Sequence, residues 1–426
     1  LADDIVGDRQ YFLRRLHRKS DSAGRVGARK QARRAFRAAE LAPGRVLPGG
    51  PPVLYCRVGR SDKLGVKMEA AAERVGPVRI GRADAEAFTR DLFERAGVES
   101  ATAATVAAAL VEAELEGQSS HGLLQAPTYV RRVLAGTISR SARPRQVHRS
   151  GAVSIFDVGL ALGHAAAEEL VQVSVAEAGQ HGIAAVAARS ATHFGVAGRY
   201  ARMIADAGMV GIVMCNTRPM MPAPGGQLAV VGNNPLAIAV PCAGAQPIVF
   251  DMAMSATAMG RIRQAAQEGR PIAPGLAVDA SGRETTDAAA ALAGKLLPVG
   301  GAKGFGLALM VDLLCALAGG AAGGEVGFMH GAPEVKADCS WLLLALDPKH
   351  FGLDVPYAER VAELAAPVRA AAPDPALALP GDRRRAAREA GQETVRLAPA
   401  VAESLEKLSL ELGGGRLSGH DGATSS

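Results

Sequence analysis

Residues 153–215 read VSIFDVGLALGHAAAEELVQVSVAEAGQHGIAAVAARSATHFGVAGRYARMIADAGMVGIVMC. Three short apolar runs, Val153–Phe156, Ile183–Ala187 and Val210–Cys215, have the length of buried strands. Between them lie stretches of helical character, Ala165–Ala178 and Gly195–Ala207. Alternation of this kind predicts an α/β domain built on a mostly buried sheet. Further strands are expected at Leu236–Val240, Ile248–Phe250 and Trp341–Leu346, with a long helix at Phe305–Leu317 and a flexible loop over Gly319–Gly331. No GxGxxG turn joins an early strand to a helix, which argues against a Rossmann half-domain.

Upstream, two helices are expected. Asp84 would cap the first, with Phe88, Leu92 and Phe93 on one face and Gly97 as its stop; Ser100 would cap the second, with Val106, Leu110 and Leu115 as its stripe and Gly117 as its end. That places Ser120-His121-Gly122 at a helix exit. The stretch Tyr357–Leu412 reads as helical, interrupted over Pro373–Gly381. The expected division is a basic extension (1–67), an N-terminal helical segment (68–150), a central α/β domain (151–347), a C-terminal helical segment packing on the N-terminal one (348–414) and a tail (415–426). The extension carries no sustained periodicity; it is either translated from a start set too early or a disordered basic arm.

The formal charge of +6 belongs to that extension, where 16 Lys and Arg face 6 Asp and Glu, against 32 and 36 in the remainder. Its arginines lie among Gly, Ser and Pro rather than on a regular face, so no nucleic-acid partner is expected. With 48% hydrophobic residues over 426 positions the chain can bury one or two large cores, and 4% aromatic content makes Ala, Val and Leu their main material. Five cysteines (56, 215, 242, 315, 339) without a CxxC pair suit a reducing compartment, and the cytoplasm is expected. No eighteen-residue apolar run and no HExxH spacing occur, so neither a membrane span nor a metal is expected.

Four clusters hold more polar groups and glycines than packing requires. Ser120-His121-Gly122, followed by Gln125 and Tyr129, sets an imidazole beside a hydroxyl that can fix its tautomer. Thr192-His193-Phe194-Gly195-Val196-Ala197-Gly198 leaves a strand for a helix, where small residues and free N–H groups suit a phosphate or carboxylate. The loop from Asn216 through Pro224-Gly225-Gly226 to Gly232-Asn233-Asn234-Pro235 lies between apolar strands. Gly300-Gly301-Ala302-Lys303-Gly304 precedes the apolar helix without Walker A spacing. Each has a structural alternative, from a capping turn to a glycine hinge. His164 and His181 read as helix-end residues meeting backbone or water.

Taken in order, these clusters, together with Phe250-Asp251-Met252-Ala253, Pro271–Asp287, Leu297–Gly306 and Pro380-Gly381-Asp382, resemble the non-Rossmann malate/L-lactate dehydrogenase family over about Val78–Gly413. That family includes ureidoglycolate and sulfolactate dehydrogenases and reductases of piperideine- and pyrroline-2-carboxylate. The resemblance implies a sulfolactate-dehydrogenase-like α/β fold with packed N- and C-terminal helical segments, and a homodimer with its active site near the interface. It implies hydride transfer between NAD or NADP and a 2-oxo/2-hydroxy acid, or alternatively a cyclic imino acid; a silent cofactor-binding homologue is the remaining reading.

By the same resemblance His121 is the proton donor with Ser120 orienting it, and His193 is the other candidate. Gln125, Tyr129 and Asn233 would meet substrate. The cofactor would lie against His193, Phe194, Gly195, Val196, Ala197, Asp251, Met252, Ala253, Lys303, Gly304, Gly381 and Asp382, with Asp251 accepting from a ribose hydroxyl. Two positions depart from the family pattern: Gln125 replaces the arginine that grips the substrate carboxylate, and Asn233 replaces a threonine. A glutamine amide offers a neutral bond in place of a bidentate charged one. Such changes suggest a larger or less anionic substrate, unless Arg131 or Arg132 restores the charge.

Overall fold

The computed structural model describes residues 76–390 and 393–417. The expected extension and residues 418–426 of the expected tail lie outside the described residues. β1 (Val78–Gly81) leads into α1 (Arg82–Arg95) and α2 (Ser100–Leu115), and α3 (Ala126–Leu134) follows two tight turns. Neither expected cap acts as one. Gly81 and Glu99 precede the helices; Asp84 lies in the first turn, where a carboxylate still favours the dipole, and Ser100 is already helical.

The central sheet takes its strands from the alternating region: β2 (Arg145–Ser150), β3 (Val153–Asp157), β4 (Ile183–Ala191), β5 (Val210–Cys215), β8 (Leu236–Val240), β9 (Ile248–Met252) and β12 (Cys339–Leu346). Two short hairpin ladders flank it, β6 (Met221–Pro222) with β7 (Ala229–Val231) and β10 (Ala277–Val278) with β11 (Lys295–Leu296). The seven strands run in the order β2-β3-β4-β12-β5-β8-β9, and only β3 and β4 are parallel. Their crossover is α4 (Gly163–His181). Together with α5 (Ala197–Asp206), α4 covers one face of the sheet, and α8 (Ala302–Cys315) covers the other. The smaller α6 (Met259–Gln267) and α7 (Ala288–Leu292) pack beside α8.

β12 explains why its sequence is continuously apolar. It is paired on both edges, and its alternate side chains enter different cores: Trp341, Leu343 and Ala345 meet α4 and α5, whereas Leu342 faces the α8 side.

The C-terminal region returns to the beginning of the fold. After α9 (Tyr357–Ala371) and α10 (Asp382–Ala390), β13 (Thr394–Leu397) pairs antiparallel with β1 in the register Val78↔Leu397 to Gly81↔Thr394, and α11 (Pro399–Glu411) closes the layer. Ile80, Phe93, Leu110 and Val130 share one core with Val395, Leu397, Leu405 and Leu408, so the N- and C-terminal helical segments are packed together. The helical reading of this tail, interrupted only over Pro373–Gly381, is therefore corrected by one strand.

Candidate active site

α2 unwinds at Gly117, whose φ of +71° reverses the chain, into a short turn over Ser119–His121. The Glu114 carboxylate folds back to accept the Leu123 N–H at 2.8 Å, and burial raises its pKa. Any side chain at Gly122 would strike that carboxylate, so glycine is required there. Thus fixed, Ser120 Oγ lies 2.9 Å from His121 Nδ1. The His121 pKa is lowered, chiefly by burial; the Asp251 carboxylate works against the shift and Arg384 adds to it.

His193 leaves the end of β4 and stacks on His121, with ring centroids 5.7 Å apart and planes inclined by 24°. Its Nδ1 accepts the Gly195 N–H at 3.3 Å and meets the Tyr129 hydroxyl at 2.6 Å. Because a backbone N–H can only donate, Nδ1 is the acceptor and the neutral ring carries its proton on Nε2. Burial holds the His193 pKa well below the usual value, helped by His121, His164 and His330. Thr192 anchors this turn by donating to the Ala161 carbonyl at 2.8 Å.

Several expectations change here. His164 stands at the start of α4 as expected, but it is 1% exposed, neither ring nitrogen has a partner, and Tyr129 meets its ring edge-on at 5.2 Å. Burial drives its pKa down to about 3, so it stays neutral. Gly195, at φ +82°, leaves room for that ring, since a Cβ would sit 2.8 Å from His164 Nε2. The Phe194 ring packs against Tyr200 and Trp341 at 5.1 and 5.0 Å; it belongs to the core, leaving its main chain for a ligand. Val196 and Ala197 start α5 with their side chains buried.

On the expected substrate side, Gln125 is buried and its Nε2 donates to the Ser120 carbonyl at 2.7 Å, so the amide supports the Ser120-His121 turn. Tyr129 is buried beneath His193 and positions it. The Asn233 side-chain Oδ1 accepts from the Thr217 hydroxyl at 2.8 Å. Neither arginine of α3 restores the missing charge. Arg131 is exposed, and Arg132 is buried with its guanidinium donating to the carbonyls of Phe328, Met329 and Val335 at 2.9, 2.8 and 2.6 Å.

The expected cofactor residues gather in part. Asp251 is within β9, its carboxylate 2.6 Å from Arg384 Nη1, so it is neither free nor a helix cap. Met252 and Ala253 continue that strand edge, half-buried. Pro380 accepts from the Val249 N–H, and Gly381, at φ +89°, lies so close to β9 that a Cβ would be 2.8 Å from the Val249 carbonyl. Asp382 is buried between Arg369 and Arg385 at 3.0 and 3.2 Å. Lys303 is exposed in the first turn of α8; Gly304 is buried against the Val299 carbonyl.

A narrow cleft runs between α5, β9 and α10, bounded by Gly198, Val249, Gly381, Arg384, Arg385 and Arg388. Arginines at its wall and the first turn of α5 fit the pyrophosphate of a dinucleotide, and Gly198 admits no side chain beside Asp251. These arginines were missed as candidates, although the run Arg383-Arg384-Arg385 after Gly381-Asp382 was a visible signal.

The comparisons agree with this geometry. The family described as malate/L-lactate dehydrogenase matches residues 80–406. The chain is 36% identical over 330 residues to the (2R)-3-sulfolactate dehydrogenase (NADP(+)) of Chromohalobacter salexigens, covering 76% of this chain and 96% of that one. It is 32% identical over 318 residues to a Delta(1)-pyrroline-2-carboxylate/Delta(1)-piperideine-2-carboxylate reductase of Pseudomonas putida, covering 74% and 92%. The sulfolactate dehydrogenase structure from Methanocaldococcus jannaschii superposes with a TM-score of 0.74 at 30% identity, covering 79% of this chain and 98% of that one. The chain belongs to the malate/L-lactate dehydrogenase family and is an NAD(P)-dependent oxidoreductase.

Proposed function

We propose that the protein reduces a 2-oxo acid, and oxidises the matching 2-hydroxy acid, with His121 as the proton carrier. The carrying observation is the difference between the two stacked histidines. Burial lowers both pKa values, but at His121 a carboxylate, Asp251, offsets the opposing charge of Arg384, whereas the charges acting on His193 are those of three other histidines and all disfavour its charged form. His121 is thus the ring that can gain and lose a proton, and His193 stays neutral with an N–H on Nε2. In reduction His121 gives its proton to the oxygen of the forming alcohol while Ser120 holds Nδ1. His193 can donate from Nε2 to the substrate or to the nicotinamide edge. Residues 195–198, Asp251, Gly381 and the cleft arginines would hold the nicotinamide cofactor, which would supply the hydride.

The P. putida relative keeps reduction of a cyclic imino acid as the second reading, in which the same proton goes to nitrogen. The deciding assay follows reduced-nicotinamide absorbance with NADH and NADPH against 2-oxo acids and pyrroline-2-carboxylate, beside His121→Ala. Turnover reduced by roughly 10²-fold or more in the variant is expected; an undiminished variant removes His121 from the role, and no turnover by the parent leaves a silent cofactor binder.

A homodimer is proposed as well, supported by α8: Leu307, Met310, Leu313 and Leu314 are 42–56% exposed on a helix with few polar groups. Sedimentation should find a dimer that Leu313→Asp dissociates, and a monomeric parent would refute it. Cys215, Cys242, Cys315 and Cys339 are free thiols, which suits the cytoplasm. No helix among the described residues is long and apolar enough to cross a membrane.

A further inference from the structure

His164 is an imidazole to which proton transfer by His121 gives no task. It stands in the first turn of α4, 1% exposed, and neither Nδ1 nor Nε2 meets a polar atom among the described residues. Direct contacts tie it to the two stacked histidines. Gly163, the residue before it, lies so close to the His193 carbonyl that any side chain there would strike it. The His164 ring meets Tyr129 edge-on at 5.2 Å, the Tyr129 hydroxyl lies 2.6 Å from His193 Nδ1, and His193 stacks on His121 at 5.7 Å.

A buried polar group without a partner costs free energy that an apolar side chain of similar shape does not. Leucine would fill the space beside Tyr129, so packing alone does not account for an imidazole. Burial, with the charge of His121 acting in the same sense, drives its pKa down to about 3. The ring is therefore neutral and offers one N–H donor and one lone pair.

Those groups border a narrow cavity between α2, α4 and α5, with room for about one water molecule. Its walls include Glu112, Glu116, His121, His164 and Arg199. Gly195 lies on the same wall, against His164 Nε2. Arg199 brings a second unpartnered group: its Nε is buried without an acceptor, although its other nitrogens bind Glu112 and Glu168. A fixed donor and a neutral imidazole thus converge beside His121, and buried water needs just such a polar lining. Glu116 and Arg199 also line the cleft of the α10 arginines, so they mark the mouth of the cavity.

We propose that His164 and Arg199 hold an ordered water against His121, and that this water returns the proton His121 gives up. His164 is a positioning residue: it stays neutral and orients the water without carrying the proton. In reduction, His121 passes one proton to the forming alcohol and takes one from the water, which regains its own from solvent at the Glu116 mouth. Oxidation runs the same transfers backwards, and no electron moves in any of them. The proposal rests on the reading of His121 as the proton carrier.

The test uses the full chain with His164→Leu and His164→Gln, reducing oxaloacetate and pyruvate in ordinary and heavy water, beside crystal structures of the parent and His164→Leu. The parent should show a water within hydrogen-bond distance of His164 Nε2 and Arg199 Nε that His164→Leu lacks. In His164→Leu, kcat should fall roughly 10- to 100-fold, its solvent isotope effect should rise, and added imidazole should restore part of the rate. KM and the cofactor Kd should change far less, and His164→Gln, which keeps a donor and an acceptor, should recover part of kcat. His164→Leu should unfold at no lower denaturant concentration than the parent; a merely structural imidazole would give a less stable variant whose rate imidazole leaves unchanged. A dry cavity in the parent overturns the proposal, as does a His164→Leu rate equal to the parent's. A cofactor Kd weakened as much as kcat falls would assign the cavity to the cofactor and overturn it too. If neither acid is turned over, or His121→Ala keeps its rate, the proton-carrier reading fails, and the water site stands or falls on the density alone.

Discussion

Two regions of this molecule are built on opposite principles. Around the histidines, polar atoms meet partners of the same chain: Ser120 with His121, Tyr129 and Gly195 with His193, Gln125 with the Ser120 carbonyl. Around Arg218 the chain supplies the Phe328 ring and a backbone tie at Thr217 but, among the described residues, no counter-charge. The difference teaches what each arrangement does. A group that must move a proton needs its tautomer and direction set before substrate arrives, whereas a guanidinium packed on a ring face keeps its charge uncompensated.

The largest challenge to that contrast is Arg132→Met, which removes the buried cation tying the Phe328 loop to α3 and leaves three main-chain carbonyls without their donors. It should cost about 3 kcal/mol in denaturant unfolding and loosen the ring under Arg218. A variant as stable as the parent would show that these bonds do not hold the loop.

A smaller effect sharpens the proton side. Oxidation of the hydroxy acid needs neutral His121, and a lowered pKa means that the proton leaves earlier as pH rises. The acid limb of kcat/KM should therefore lie below about pH 6.5, the ordinary histidine value. Tyr129→Phe removes one bond to His193, worth about 1 kcal/mol, and should lower kcat/KM by less than about tenfold without moving that limb. A limb displaced by Tyr129→Phe would assign the titration to His193 instead.

How much of this was legible in the sequence depends on whether a residue belongs to a pattern. Val210–Cys215 and Leu236–Val240 are strands with the expected bounds because continuous apolar runs mark strands buried on both faces. β2, RQVHRS, was not foreseen: it is an edge strand with five of its six side chains exposed and no alternation to read. β13 spans four residues between helices and gains its identity only from β1, far away in sequence. Ser120, His121 and His193 come together as expected. Arg218 went unnoticed because a single loop arginine carries no period, although its place inside the Asn216–Pro235 loop was the available hint. His164 was read by position in its helix, and position says nothing about depth.

The pairing of β1 with β13 also has a meaning in time. A ribosome delivers the catalytic turn early, yet the layer that braces α2 and α3 needs Val395, Leu397 and Leu405, and the middle of the sheet needs β12. Contacts of such long sequence separation form late. A nascent chain halted before residue 339 would carry both histidines and have neither the central strand nor the brace, so the two rings are synthesised well before the layers that hold them.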